Sequence, residues 1–358
     1  MVYEINYPRT IDARRPDGHE PRAPRYRLTW DKPISGLACA YFGMQGRASD
    51  ESIDQQAEKC FLDTFDDFFT QAGGVKTTER LRCVDSFGYA NTIIVAYWSD
   101  MSKFACWLED SGFRVWFNQQ ALLSDGYGYW FEPIVSHFDR HETIYSESSY
   151  KIGMARLPET QITSMTMNGY FGAARDRLPI SAIDPLDSPV TTIKSAKIVD
   201  CAKQKHLLAF LPHNLTILRS GQFWEDAGQE QADDYIETMQ PKLDRGMEHL
   251  KNNPSDTGCL SLRIATNIDN EGKERAETST IAAFQSLELL EKWAASHETH
   301  LAIYHHAIKM NRHYGKDREV VTWHELFVLQ HGSTFEYIHC HPETGMLPYT
   351  EVMVVASK

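Results

Sequence analysis

The chain has no apolar run approaching the roughly 20 residues that a bilayer span requires. Its most apolar stretches, such as the one around Ile93, Ile94 and Val95, are far shorter. Paired arginines (Arg14, Arg15) stand near the N-terminus, but no apolar segment follows them, so a secretory signal is not expected. Positive charge is in short supply: 36 Lys and Arg face 49 Asp and Glu, a net charge of −13. Duplex nucleic acid is bound largely through Lys and Arg on phosphates, and anionic lipid through polybasic patches, so neither partner suits this surface. Cysteines are few and scattered: Cys39, Cys60, Cys83, Cys106, Cys201, Cys259 and Cys340 never form CxxC. That excludes a zinc ribbon, a thioredoxin motif and covalent c-type haem attachment. Also missing are GxGxxG after a strand, GxxxxGK[ST], GxSxG and HExxH, so nucleotide cradles, the α/β-hydrolase elbow and that zinc-protease motif lack support. These absences describe a reduced, cytoplasmic enzyme.

What is present can build a core. Hydrophobic residues make up 42% and charged residues 24% of 358 positions, outside the range of disorder. At roughly 150 residues per domain the length suggests about two domains. Residues 1–34, rich in Pro, Arg and Asp, read as an extended arm. Gly36–Gln45 reads as a strand, 50–71 as a helix, Ala90–Trp98 as a strand, Ser102–Leu108 as a helix and Tyr127–Tyr145 as strand again. The second half repeats the order. Lys205–Arg219 is strand-like with a turn at Pro212-His213-Asn214. Ser220-Gly221 opens a long helical pattern with a kink expected at Pro241. Gly258–Asn267, Val321–Gln330 and Phe335–Cys340 read as strands and Ser286–Ser296 as a helix.

The halves also share residues. Trp98–Trp107 lies over Phe284–Trp293 without a gap, Trp130-Phe131-Glu132 over Trp323-His324-Glu325, and His141–Tyr145 over Phe335–His339 with one extra residue. Shared order favours an ancient duplication. The expected fold is α+β: two ferredoxin-like βαββαβ units whose sheets pack into a barrel-like domain. Its expected division is an arm (1–34), a first half (35–150), a connecting segment (151–195), a second half (196–345) and a tail (346–358).

Fifteen histidines are the suggestive part of the composition, since imidazole is both a metal ligand and a proton carrier near neutrality. In His297-Glu298-Thr299-His300, a continuous helix places His297 on the stripe of Leu287, Leu290, Ala294 and Leu301. A helix capped afresh at Ser296 would instead redirect His300. On spacing alone, ordinary surface or core histidines explain this segment best. His324 alternates with Leu326 and Val328 on one strand face, either as a satisfied core histidine or as a proton donor tuned by a carboxylate. By default Ser220 is an N-cap, Arg177 a solvated loop cation and Glu142 an exposed strand carboxylate. His339-Cys340-His341 offers thiolate and imidazole ligands for zinc, but neighbours on a strand point to opposite faces.

Taken together, several segments resemble the aldoxime dehydratases, haem enzymes that convert aldoximes to nitriles. The resemblance lies in residues 169–181 (Gly-Tyr-Phe-Gly-Ala-Ala-Arg-Asp-Arg-Leu-Pro-Ile-Ser), 214–224, 287–300, Trp323-His324-Glu325 and 335–347. It implies a nitrile-forming lyase with haem b, ferrous in the active state, an aldoxime substrate and a homodimer. The family's iron ligand is the last histidine of Ser-His-x-Thr-His, here His300, which favours the helix break at Ser296. The resemblance further implies Ser220 and Arg177 as the groups that hold the oxime, His324 as the acid–base group and Glu142 as its support. The stretch from His300 to His324, including Asn311–Glu319, is a few residues longer than usual in the family. Rival readings are a haem peroxidase or chlorite-detoxifying enzyme, which share paired ferredoxin-like units, a non-catalytic haem protein, and the zinc site above.

Overall fold

Alternating β-branched and aromatic residues build the sheet, and apolar stripes at helical spacing cover it. The computed structural model describes residues 5–47, 52–190 and 204–355. Cys201 and the expected boundary at 195/196 lie outside the described residues. In chain order the elements are β1 (Arg25–Trp30), β2 (Gly36–Gln45), α1 (Gln55–Thr70), β3 (Thr78–Val84), β4 (Ala90–Trp98), α2 (Met101–Asp110), α3 (Phe113–Phe117), β5 (Gly128–His137), β6 (His141–Tyr145), β7 (Thr160–Met165) and α4 (Ala173–Arg177). There follow β8 (His206–Phe210), β9 (Thr216–Phe223), α5 (Gln229–Asp234), α6 (Gln240–Asn252), α7 (Pro254–Thr257), β10 (Cys259–Ile268), β11 (Glu274–Phe284), α8 (Leu287–Ser296), α9 (Glu298–Tyr314), β12 (Val321–Val328), β13 (Thr334–Ile338) and β14 (Glu351–Val354).

The fourteen strands of the described residues form one antiparallel sheet in the order β14-β8-β13-β5-β2-β4-β3-β10-β11-β9-β12-β6-β1-β7. Its centre is the β3–β10 pairing, and the two sides match. In β5-β2-β4-β3 and again in β12-β9-β11-β10, four strands stand in the order fourth, first, third, second. The strand that follows each set then crosses over: β6 pairs with β12, and β13 pairs with β5. This exchange brings Glu142 into the second half.

One face of each half meets the other half in a shared core, where Cys39, Tyr41, Val95 and Trp130 join Ile217, Ile281, Trp323 and Phe327. The opposite face of the first half is closed by α1–α3 with Phe42, Phe65, Trp107, Phe113 and Phe131. The opposite face of the second half carries α6 and α8, with Leu250, Leu287, Leu290 and Trp293 against Phe284 and Leu326. Caps set the helix starts: Asp54 accepts from Gln56 and Ala57 N–H, Asp100 from Ser102 and Lys103, and Ser286 from Leu289.

Several expectations change. The segment read as an arm contributes β1, which pairs with β6 and β7. The tail contributes β14 on β8. Ser220-Gly221 does not open a helix; both residues lie inside β9, hydrogen-bonded to β11 on one side and β12 on the other. The first helix after β9 starts at Gln229. Pro241 sits in the first turn of α6, just after a π-helical turn over Tyr235–Met239. There the missing N–H and the ring fall where the widened turn gives them room.

Candidate active site

Strand pairing sets the floor of the site. On β12, His324 stands opposite Ser220 of β9 and Ile144 of β6, while Leu326 stands opposite Leu218 and Glu142. Directly paired residues share a sheet face. Ser220, Leu218, His324, Leu326, Glu142 and Ile144 therefore form one patch, and Trp323 and Glu325 turn to the inner core. Gly221 makes this register possible, since a Cβ there would fall 2.6 Å from Trp323 Nε1. The first half repeats the device at Gly43, where a Cβ would fall 1.8 Å from Trp130 Cε2. Relative to those pairs, Phe131 stands where His324 is and Phe42 where Ser220 is. These two rings stack with centroids 5.1 Å apart, so aromatics fill that side.

Behind His324 lies a buried ionic pair. Arg177 Nε donates to Glu142 Oε2 at 2.5 Å, and the two side chains are 4% and 1% exposed. His324 Nε2 meets Glu142 Oε1 at 2.8 Å and lies 3.2 Å from Arg177 Nη2, and Arg177 Nη1 donates to the Met167 carbonyl at 2.9 Å. Burial alone would raise the Glu142 pKa, but the charges of Arg177 and His324 bring it down to about 2. Glu142 is therefore a carboxylate at neutral pH and keeps a proton on the Nε2 that faces it. His324 Nδ1 has no hydrogen-bond partner among the described residues. A guanidinium has five N–H donors; with Nε2 of His324 protonated, Arg177 engages one on Glu142 and one on the Met167 carbonyl, so three remain.

Arg177 owes its place to its neighbours in a five-residue helix. Asp176 accepts from the backbone N–H of Arg14 and of Arg15 and from the Tyr170 hydroxyl. Arg175 Nε donates to Glu291 of α8 at 2.9 Å. Sequence reasoning passed over these two anchors, although the alternating Arg-Asp-Arg run was the available signal.

His300 enters from the other wall. α8 ends at Ser296 and α9 starts at Glu298, so the break falls at His297, whose Nδ1 accepts from Thr299 N–H. His297, the stripe candidate, stacks on His249 at 3.7 Å instead of facing the site. Trp293 packs edge-on against His300 at 4.8 Å. His300 and His324 line one cleft with Arg177, Leu218, Leu326 and Ile144, enclosing about 1340 Å³ of empty space that is partly open to solvent. Burial lowers the pKa of His300, the Ala294 carbonyl opposing it, and its buried Nδ1 has no hydrogen-bond partner. The structure thus brings His324, Glu142 and Arg177 into mutual contact. It sets Ser220 beside His324 and puts His300 on the facing helices.

The zinc alternative does not converge. Cys340 is buried with its Sγ on the Tyr129 carbonyl, His339 Nδ1 accepts from Gln204 N–H, and His341 Nδ1 accepts from Glu343 N–H. Among the described residues, no three His, Cys, Asp or Glu side chains are grouped to hold a metal ion. Likewise, no described helix is long and apolar enough to cross a membrane.

An imidazole lining one largely apolar cleft together with a histidine–carboxylate–arginine set suits a protein that holds a largely apolar group. The chain belongs to the haem-containing dehydratase family, which residues 40–346 match. It is 32% identical over 350 residues to an aliphatic aldoxime dehydratase of Pseudomonas sp., covering 97% of each chain. It is 30% identical to the phenylacetaldoxime dehydratase of Bacillus sp. strain OxB-1, covering 94% of each. A solved aldoxime dehydratase in complex with butyraldoxime superposes with a TM-score of 0.87 at 28% identity, covering 97% of this chain and 94% of that one. The residues present fit haem. His300, whose buried Nδ1 has no hydrogen-bond partner, borders a cleft walled by Leu218, Leu287, Leu290, Ile308 and Leu326. A neutral imidazole with a free lone pair is a haem-iron ligand.

Proposed function

We propose that this chain is an aldoxime dehydratase that converts R–CH=NOH to a nitrile and water. The observation that carries the reading is the facing of His300 and the His324–Glu142–Arg177 set across one cleft, in a chain matching that family almost end to end. His300 would hold haem b. When bound and ferrous, that group supplies a metal centre that takes the aldoxime nitrogen and weakens the N–O bond.

The chain's own residues then have defined tasks. Ser220 and free N–H groups of Arg177 hold the oxime oxygen, since both residues sit beside His324. Hydroxide is a poor leaving group until protonated, and His324 donates a proton from Nδ1 so that water departs with the N–O electron pair. Glu142 accepts from Nε2–H and so holds the ring with Nδ1 toward the oxime oxygen. The resulting neutral Nδ1 accepts the carbon-bound hydrogen, whose bonding pair becomes the third C–N bond. Protons balance, and His324 ends as it began. Apolar walls limit the water that reaches this exchange.

The same reading treats the two matching strand sets as duplicated ferredoxin-like units of a barrel-like domain. It divides the chain at 1–34, 35–150, 151–195, 196–345 and 346–358, with a homodimer as the assembly. Absorption spectra of the purified protein before and after dithionite, followed by addition of an aldoxime and chromatography of the nitrile, test the function. A Soret band that shifts with aldoxime and yields nitrile is expected; a colourless protein, or pigment without nitrile, refutes it.

A further inference from the structure

The end of the cleft beyond His300 holds positive charge that the protein itself does not neutralise. His300, Tyr304, Ile308 and Asn311 run along one side of α9 and line the cleft, and Arg25 of β1 lines it as well. Arg318 donates to the Asn311 side chain, which brings a second guanidinium to the same end. Neither arginine has a carboxylate partner among the described ion pairs. Arg25 Nη1 donates to the Pro24 carbonyl at 2.7 Å. Asp234, the acid whose charge acts on Arg318, is paired with His306 at 2.9 Å. The one carboxylate lining the cleft, Glu291, is taken by Arg175 at 2.8 Å.

In a chain with 13 more acids than bases this is anomalous, because half-buried cations are costly unless paired. The charge of Arg25 also reaches Arg318. Burial lowers the pKa of Arg25, and burial together with the charge of Arg25 lowers that of Arg318 to about 10. Such a pair is a receptor for anions, and guanidinium forks match carboxylates in geometry.

We propose that Arg25 and Arg318 bind the two propionate carboxylates of the haem, fixing its rotation in the cleft while His300 fixes its iron. This rests on the haem reading above. It also gives a task to the lengthened segment after α9, which carries Arg318.

The test compares haem with its dimethyl ester, in which both carboxylates are blocked. The full-length chain is loaded with either pigment, and transfer to excess apomyoglobin is followed at the Soret band. The parent protein should lose the ester about tenfold faster than haem, the scale of one charge-assisted hydrogen bond. Arg25→Leu/Arg318→Leu should release haem and ester at one common, faster rate, and Arg25→Lys/Arg318→Lys should restore part of the difference. The lysine pair also guards against simple misfolding of the leucine pair. Equal release of haem and ester by the parent overturns the assignment while leaving His300 as ligand intact. A parent protein that takes up neither pigment overturns the haem reading and this inference together.

Discussion

Replacing Glu142 by Gln removes one charge and almost no volume from a site where burial leaves little screening. The Glu142 pKa falls from its ordinary 4.5 to about 2, and each unit is worth about 1.4 kcal/mol, so the ionised carboxylate contributes about 3 kcal/mol at neutral pH. Because the folded-state value is depressed, this contribution is complete above pH 4.5 and fades as pH falls toward 2. Linkage leaves about 1.4 kcal/mol of it at pH 3. Removing one partner of a buried ion pair costs a comparable 3–5 kcal/mol or so, since Arg177 is left uncompensated. Denaturant unfolding of parent and Glu142→Gln should therefore differ by about 3 kcal/mol at pH 7, and the gap should narrow by about 2 kcal/mol at pH 3. Turnover should fall while the Soret band persists, because Glu142 touches His324 and Arg177 rather than His300. A gap under about 0.5 kcal/mol at pH 7, or one that stays constant down to pH 3, would refute the electrostatic reasoning.

Three further outcomes are expected. His300→Ala should give a folded, colourless protein, checked by circular dichroism beside the visible spectrum; retained pigment with normal turnover would exclude the ligand assignment. His324→Ala should keep haem and lose roughly 10²–10⁴ in kcat, the range of general acid–base catalysis, with nitrile formation as the readout. Gly221→Ala should destabilise by about 1–3 kcal/mol in thermal or denaturant unfolding, because its Cβ would meet the Trp323 ring at 2.6 Å. Unchanged stability there would mean that Trp323 can move at little cost, and that it does not hold the register of His324.

Much of the framework was legible along the chain. Gly36–Gln45 and Ala90–Trp98 are strands as their alternation and β-branched content suggest, and Ser286 caps its helix as its residue type suggests. The internal repeat also survives: Trp98–Trp107 and Phe284–Trp293 both run from the end of a third strand into a helix. Strands β1, β3, β7, β11 and β14 were missed. β1, β7 and β14 are short and lie at the two rims of the sheet, whereas β3 and β11 are interior strands whose charged and small polar residues mask their alternation. Ser220 was misplaced because Ser-Gly beside a polar run imitates a helix start. Pairing on both sides overrules that local signal.

Residue types and their order determined that an imidazole-rich, acidic chain would build strand–helix units, and motif resemblance singled out His300, His324, Arg177, Ser220 and Glu142. No local property could tell that Glu142 meets His324, since the two are joined by the exchange of β6 into the second half. Nor could it tell that Arg25 and Arg318, far apart in sequence, come to one end of a cleft with no carboxylate partner among the described ion pairs. Local propensity acts over a few residues. Charge compensation and burial depend on which distant segments the fold brings within a few ångströms, so only the tertiary structure decided them.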